Sequence, residues 1–403
     1  MYYLTAAQAA AALGVTRATL YAYASRGQVR SEPVSAGSKK RRYHREDIQR
    51  LKTRKDARRD PSNAAAQGLH WGGPVLESGI TLIHNGALFY RGKDAVALAR
   101  TSTVEQIAAL LWGADATAQE TLFDQRRALS ARELAHLRAT AKAPFTLMQA
   151  ALPIAAARDL AAYDLRPAGV RHTGARIVKL LTAAVAQRDT NAPIHRVLQA
   201  AWAPARRDVA DVIRTTLVLC ADHELNVSTF TARCAASAGA SPYDVVSAAL
   251  ATLKGYKHGG SAERVLALVD KADTLKSARE EFAARLRRGE RIAGFGHPLY
   301  PAGDPRAVVL LHLAASSGNE LVWRQFRHVL KAGSEVLHDA PNVDCGLAAV
   351  TRAYRLPEEA PLLLFALGRA IGWIAHAIEE YASGELIRPR ARYTGPPPEG
   401  QDS

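Results

Sequence analysis

Cysteine is scarce in this chain of 403 residues, with three in all, and Cys220, Cys234 and Cys345 show no CxxC spacing. Disulfide scaffolds and thiolate metal centres are therefore excluded as organising features, no metal is implied, and a reducing cytoplasm is the expected compartment. Strand-like alternation of apolar and polar residues is also scarce, with "GITLIHNGALFYRG" the main candidate for a small hairpin, so little material exists for a β architecture. Acidic side chains are outnumbered: 38 Asp and Glu face 53 Lys and Arg, a net charge of +15. The start, "MYYLTAAQAAAALGV", has no basic stretch ahead of an apolar core, and a secretory signal is not expected. The nearest thing to a membrane span, "PLLLFALGRAIGWIAHAI", carries Arg369 at its middle and His376 near its end. A charge at that depth is costly in lipid, so we expect a buried helix of a soluble protein and no membrane partner.

With 48% hydrophobic and 23% charged residues, the composition is that of a globular protein long enough for two or three domains. Its charge is uneven. Residues 1–60 hold fourteen Lys or Arg against five Asp or Glu, a net of +9 that leaves +6 for the other 343. There "YLTAAQAAAALGVTRATLYAYASRGQVRSEPVSAGSKKRRYHREDIQRL" reads as two short helices about a turn at Gly14, a wing-like loop and a further helix. Thr16 can cap the second helix, whose Arg17, Thr19, Tyr21 and Tyr23 could face a groove. The pattern resembles the winged helix-turn-helix of the MerR and excisionase type, with Lys39, Lys40, Arg41 and Arg42 in the wing. DNA is the partner this implies for residues 1–55.

Residues 56–68 lie in a polar, charged stretch without apolar period and read as a linker, and 396–403 read as a loose tail. Between them, 69–395 is expected to be mainly α. "STVE" at 102–105 and "SARE" at 130–133 read as capping boxes, and "SPYD" at 241–244 as a cap before a first-turn proline. Ile107, Leu110 and Leu111, and Val246, Leu250 and Leu253, keep helical spacing.

Five segments carry polar residues that composition does not demand. "CADHELNVSTFTAR" sets His223 between two acids, "LKGYKHGGSAERV" puts His258 before a glycine pair, and "APNVDCGLAAV" puts Asp344 among apolar neighbours. "GFGHPLYPAGDPRA" holds His297 between glycine and proline, then Asp304-Pro305 as an N-cap with proline at the first helical position, placing Arg306 in a first turn that favours anions. A satisfied core histidine, a helix-ending residue and a cap are the plain readings of His223, His258 and Asp344. Arg369 resists one, because a lone buried charge costs several kcal/mol without a partner, which a ligand can be.

"ADHELNVSTFTAR", "LKGYKHGG", "GFGHPLYPAGDPRA", "PNVD", "GRAIGWIAH" and "IRPRARYTG", in this order, with "YRG" at 90–92 as an early landmark, resemble the citrate synthase family over roughly residues 70–395. The resemblance implies large and small helical domains forming a dimer, the small one at roughly 222–330. It implies that Asp344 takes a proton from the methyl group of acetyl-CoA, that His258 hydrogen-bonds the thioester carbonyl and stabilises the enol, and that His297 protonates the ketone oxygen of oxaloacetate. His223 would orient oxaloacetate, Arg306 and Arg369 would hold its carboxylates, and Arg388 would reach the neighbouring subunit's site. No cofactor is implied beyond acetyl-CoA as co-substrate.

The chain departs from the family pattern at Cys220 in place of histidine, at "KGYKHGG" in place of "KGPLHGG", at Pro298 in place of arginine, and at Cys345-Gly346 in place of an aromatic-containing segment. Cys345 and the small residues after it are expected to alter the acyl pocket. Condensation of acetyl-CoA with oxaloacetate to citrate is the leading expectation. The alternatives are 2-methylcitrate synthesis from propionyl-CoA, one methylene larger, and a DNA-binding regulator whose synthase-like part senses ligands.

Overall fold

The structure, a computed structural model, describes residues 3–34, 38, 40–45, 47–48, 51–52, 76–188, 192–391 and 393–396. The linker expected at 56–68, the tail at 396–403 apart from Pro396, and Lys39 lie outside these. The chain divides into two compact units, 1–77 and 78–403.

The first unit opens on a strand, β1 (Tyr3–Thr5). Thr5 then caps the helix Ala6–Leu13 in a capping box with Gln8, and Gly14, at φ 58°, supplies the left-handed residue that ends it. The Thr16 hydroxyl accepts the Thr19 amide to start the helix Arg17–Ser25, as its sequence position predicts. Strands β2 (Ser31–Pro33) and β3 (Arg41–His44) follow, and the sheet order is β1-β3-β2, all antiparallel. Two expectations change here. The chain does not begin with a helix, and the basic wing is partly a strand, because Tyr43 must point inward to join Leu13, Leu20, Val29 and Ile48 in the core. Arg41 and Arg42 are thereby fixed on β3.

In the second unit the expected hairpin is present as β4 (Thr81–His84) and β5 (Ala87–Tyr90), with β6 (Lys93–Asp94) added on its edge. Asn85 and Gly86 both have positive φ, the two-residue turn that matches strand twist. Among the described residues, everything else regular in this unit is helical. Ser130 and Ser241 cap as their motifs predict, whereas the helix Val104–Leu111 is boxed by Thr103 and Gln106, one residue later than "STVE" suggests. The segment expected as a small subdomain, 222–330, falls within this unit.

At its centre runs the 24-residue helix Ala360–Ser383. It is the one described helix long and apolar enough to cross a membrane, and 83% of its apolar window is buried inside the protein. Gly368 and Gly372 explain how it sits. A Cβ on Gly368 would lie 2.7 Å from the Leu217 carbonyl, and one on Gly372 would lie 2.4 Å from the Ala221 carbonyl and from Asp222 Oδ1. Only glycine lets the helix press onto the chain leaving the helix Val209–Leu219, where the functional residues begin.

Candidate active site

Arg369, next to one of those glycines, is wholly buried. Its Nε donates to the Cys220 carbonyl at 3.0 Å and its guanidinium lies 4.7 Å from the Phe365 ring centroid. Nη1 and Nη2 have no hydrogen-bond partner among the described residues. Leaving two buried cationic donors unmade costs several kcal/mol, so the fork is shaped for an anion that the protein itself does not provide.

Past Cys220 the chain delivers His223, and the loop before the helix Pro305–Ala315 delivers His297 and Tyr300. The three rings form a triangle with centroids 5.0, 5.1 and 5.5 Å apart, and the Tyr300 hydroxyl lies 3.0 Å from His223 Nε2. Burial, then the charges of Arg306, Arg369 and His297, hold His223 well below the usual imidazole range. His297 is lowered to about 4 by burial and by Arg306, so both rings are neutral near pH 7. The irregular backbone around His297 has a structural cause. Gly294 and Gly296 take positive φ, and their segment pairs with the stretch before Val343 through Gly296 N to Ala340 O at 2.8 Å and Asn342 N to Gly294 O at 2.9 Å.

That pairing sets His297 against the start of the helix Val343–Ala353, whose first turn carries Asp344. Asp304 ties the two segments together. It caps its own helix, grips Arg306 with both oxygens (Nε to Oδ1 3.0 Å, Nη2 to Oδ2 2.8 Å) and accepts the Val343 amide at 3.0 Å. Burial works against the charge on Arg306, but Asp304 overrides it and the pKa rises. Asp344 has the opposite surroundings: its carboxylate has no hydrogen-bond donor among the described residues. Burial therefore dominates and raises its pKa to about 6, against the opposing charge of Arg306. A carboxylate so placed is ionised at neutral pH yet basic for its type.

His258 follows the helix Pro242–Leu253 on a glycine-rich turn. Its Nε2 lies 2.9 Å from Ser228 Oγ, which is also 2.8 Å from Asn226 Oδ1 and accepts the Trp373 indole N–H at 3.2 Å. Ser228 has one proton and two acceptors within reach, so its orientation decides which nitrogen of His258 carries the ring proton. Burial, then Arg369, lowers His258 to about 4.

One residue behaves differently from the sequence-based expectation. Arg306 is not a free carboxylate clamp, because Nε and Nη2 are committed to Asp304. Arg388 is exposed on the irregular segment after Ser383, with no side-chain partner among the described residues. Cys345 is fully buried, and a Cβ on Gly346 would sit 2.8 Å from that of Leu310. The small size of Gly346 serves contact between the helices Pro305–Ala315 and Val343–Ala353. Sequence reading passed over Tyr300, Ser228, Asn226 and Asn342 as site residues, although all four lie inside the quoted motifs.

In the first unit, Arg17 and Tyr21 are exposed on their helix and Lys40 is exposed in the wing. Thr19 is occupied by the Thr16 hydroxyl at 2.9 Å, and Tyr23 packs on the core. Arg41 donates to Ser31, while Arg42 pairs with Glu32 at 3.3 Å and stacks on Tyr3. Those four are therefore not uncommitted groove-facing groups.

The family model described as citrate synthase, C-terminal domain, matches residues 68–390, and one described as helix-turn-helix domain matches residues 3–56. Citrate synthase of Mycolicibacterium smegmatis is 31% identical over 337 residues, covering 77% of this chain and 90% of that protein. Citrate synthase 2 of Bacillus subtilis is 36% identical over 192 residues, 46% of this chain, and the match spans about half of that relative, 51% of its length. The crystal structure of citrate synthase from Thermotoga maritima superposes with a TM-score of 0.71 at 25% identity, covering 84% of this chain and 99% of that one.

Proposed function

The chain belongs to the citrate synthase family, and from that premise we propose that it condenses acetyl-CoA with oxaloacetate and hydrolyses the thioester to citrate and CoA. Asp344 removes a methyl proton from acetyl-CoA, and its raised pKa suits that task at neutral pH. Neutral His258 hydrogen-bonds the thioester oxygen as the enolate forms, its ring oriented by the contact of Nε2 with Ser228. The enol carbon attacks the ketone of oxaloacetate while His297 gives its proton to the ketone oxygen. His223 orients the substrate and Arg369 takes one carboxylate. Arg306 acts chiefly with Asp304 to join the His297 loop to the Asp344 helix.

The observation that carries this reading is Arg369: a fully buried guanidinium with two unpartnered nitrogens, in the same helix-and-loop cluster as two neutral histidines. Exposed Lys254, Lys257 and Arg264 beside His258 offer charge for the CoA phosphates, which suits a chain with Pro298 where arginine is usual. The exposure of Arg388 suits delivery to a second subunit of a homodimer. A cytoplasmic setting fits three free cysteines, of which Cys220 and Cys345 are buried. Residues 1–55 bind DNA, with Arg17 and Tyr21 toward the groove and Lys40 on the backbone.

Thiol release with oxaloacetate and either acetyl-CoA or propionyl-CoA tests the reaction. We expect kcat/KM to be higher for acetyl-CoA. A preference for propionyl-CoA turns the assignment to 2-methylcitrate synthesis, and no release with either removes the synthase reading.

A further inference from the structure

Two orphan groups of opposite sign lie buried in this site without meeting. One is the Arg369 fork; the other is Asp222 Oδ1, which makes no hydrogen bond among the described residues and has only the long approach of His376 Nε2 at 3.4 Å. A buried acid and base free to move would close into an ion pair, since each otherwise bears an uncompensated desolvation cost. Here both are tethered. Arg369 is held by the Cys220 carbonyl and the Phe365 ring. Asp222 is held from the other side: Thr81 Oγ1, on β4, donates to Oδ2 at 2.6 Å, and His376 Nε2 lies 3.4 Å from both carboxylate oxygens. His376 is oriented in turn, because Arg233 Nη1 donates to its Nδ1 at 3.5 Å and leaves Nε2–H to face Asp222. Arg233 is anchored by Glu380 at 2.6 Å. Gly372 permits the approach, and any side chain there would strike Asp222 Oδ1.

We propose that Asp222 is a positioning residue: a counter-ion to Arg369 that Thr81 and His376 hold out of contact, so that the guanidinium stays charged while its fork remains open for a substrate carboxylate. The inference rests on the reading of Arg369 as the oxaloacetate clamp. The Arg369 guanidinium is thus balanced by the field of Asp222 rather than by contact, which attraction at low local dielectric allows over several ångströms. The arrangement carries a consequence of unusual sign. Asp222 supports the empty site but repels the incoming dianion, and its tether matters only because a released carboxylate would fold onto Arg369 and compete with the substrate.

Calorimetric titration of oxaloacetate into the full-length parent protein and four variants tests this. Asp222→Asn removes the repulsion and should lower Kd at least threefold while lowering the Tm of the unliganded protein. Thr81→Val keeps the charge but cuts the tether, and should raise Kd at least threefold; Thr81→Ser, which restores the hydroxyl, should return it to the parent value. In the Asp222→Asn background, Thr81→Val should change nothing. A merely structural role predicts weaker binding in both single variants with additive effects, and that result overturns the inference, as does an unchanged Kd in either. If Asp222→Asn does not fold, the Thr81→Val and Thr81→Ser pair decides alone. A parent protein that binds no oxaloacetate removes the functional reading and this inference together, whereas binding by the parent with unmoved variants removes the inference only.

Discussion

The amide of Leu299 donates to Nδ1 of His297 at 3.2 Å. A ring nitrogen that accepts from a backbone N–H carries no proton, so in the neutral ring the proton sits on Nε2. The turn through Pro298 that brings Leu299 back toward the ring thus selects the donor nitrogen of His297. His297→Gln keeps one donor but cannot transfer it as an acid, and we expect kcat to fall by about 10² to 10⁴ with oxaloacetate KM changed far less. Equal loss in kcat/KM through KM alone would show that His297 only binds.

Asp344 joins activity and stability with opposite signs. Its folded pKa of about 6 lies above that of an unfolded aspartate, about 3.9. A raised carboxyl favours folding at low pH, and that contribution is lost as pH rises from about 4 through 6. Catalysis needs the ionised form, so kcat/KM should rise through pH 6, with both catalytic histidines already neutral. Asp344→Asn should cut turnover by about 10² to 10⁴ yet stabilise the unliganded protein at pH 7.5 by about 1 to 2 kcal/mol. A pH profile flat between 5 and 7, or an unchanged Tm, contradicts this environment.

Arg369→Leu removes a buried charge with unmade hydrogen bonds. The fold should survive, and the unliganded Tm should hold or rise, while oxaloacetate binding weakens by about 2 to 5 kcal/mol. Titration with unaltered affinity would take Arg369 out of the site.

Arg388 supplies a test of assembly. Inactive Arg388→Ala and Asp344→Asn chains, mixed so that subunits exchange, should regain activity, because one site of the mixed dimer has both groups intact. Exchange confirmed by native mass spectrometry without recovery places Arg388 in its own subunit's site, or in none.

Residues 1–60 should be separable from catalysis, since every residue assigned to chemistry lies beyond 220. Their deletion should leave condensation nearly unchanged and abolish DNA binding. In the full chain that binding should fall with salt at a slope of about −0.9 per phosphate contact. Arg17→Ala should weaken it at low salt, whereas Thr19→Ala and Tyr23→Phe should act mainly through the cap and the core. Anisotropy at low salt showing no DNA binding by the parent assigns this unit another role.

The sequence alone determined the two-part organisation by charge, the helical class by spacing and caps, and the hairpin at Asn85-Gly86, and it singled out the residues proposed to react. Those features are local, or depend on motifs short enough to read along the chain. Arg369 was legible too, because a cation in an apolar helix is anomalous in one dimension. Tertiary structure decided what each group is free to do. That Arg306 is spent on Asp304, that Ser228 governs His258, and that Thr81 restrains Asp222 from 141 residues away are facts of distance between segments with no spacing in common. The role of Gly346 was likewise settled only by the helix lying against it. A glycine in sequence shows that a side chain is missing, and only the packed fold shows which neighbour takes up its space.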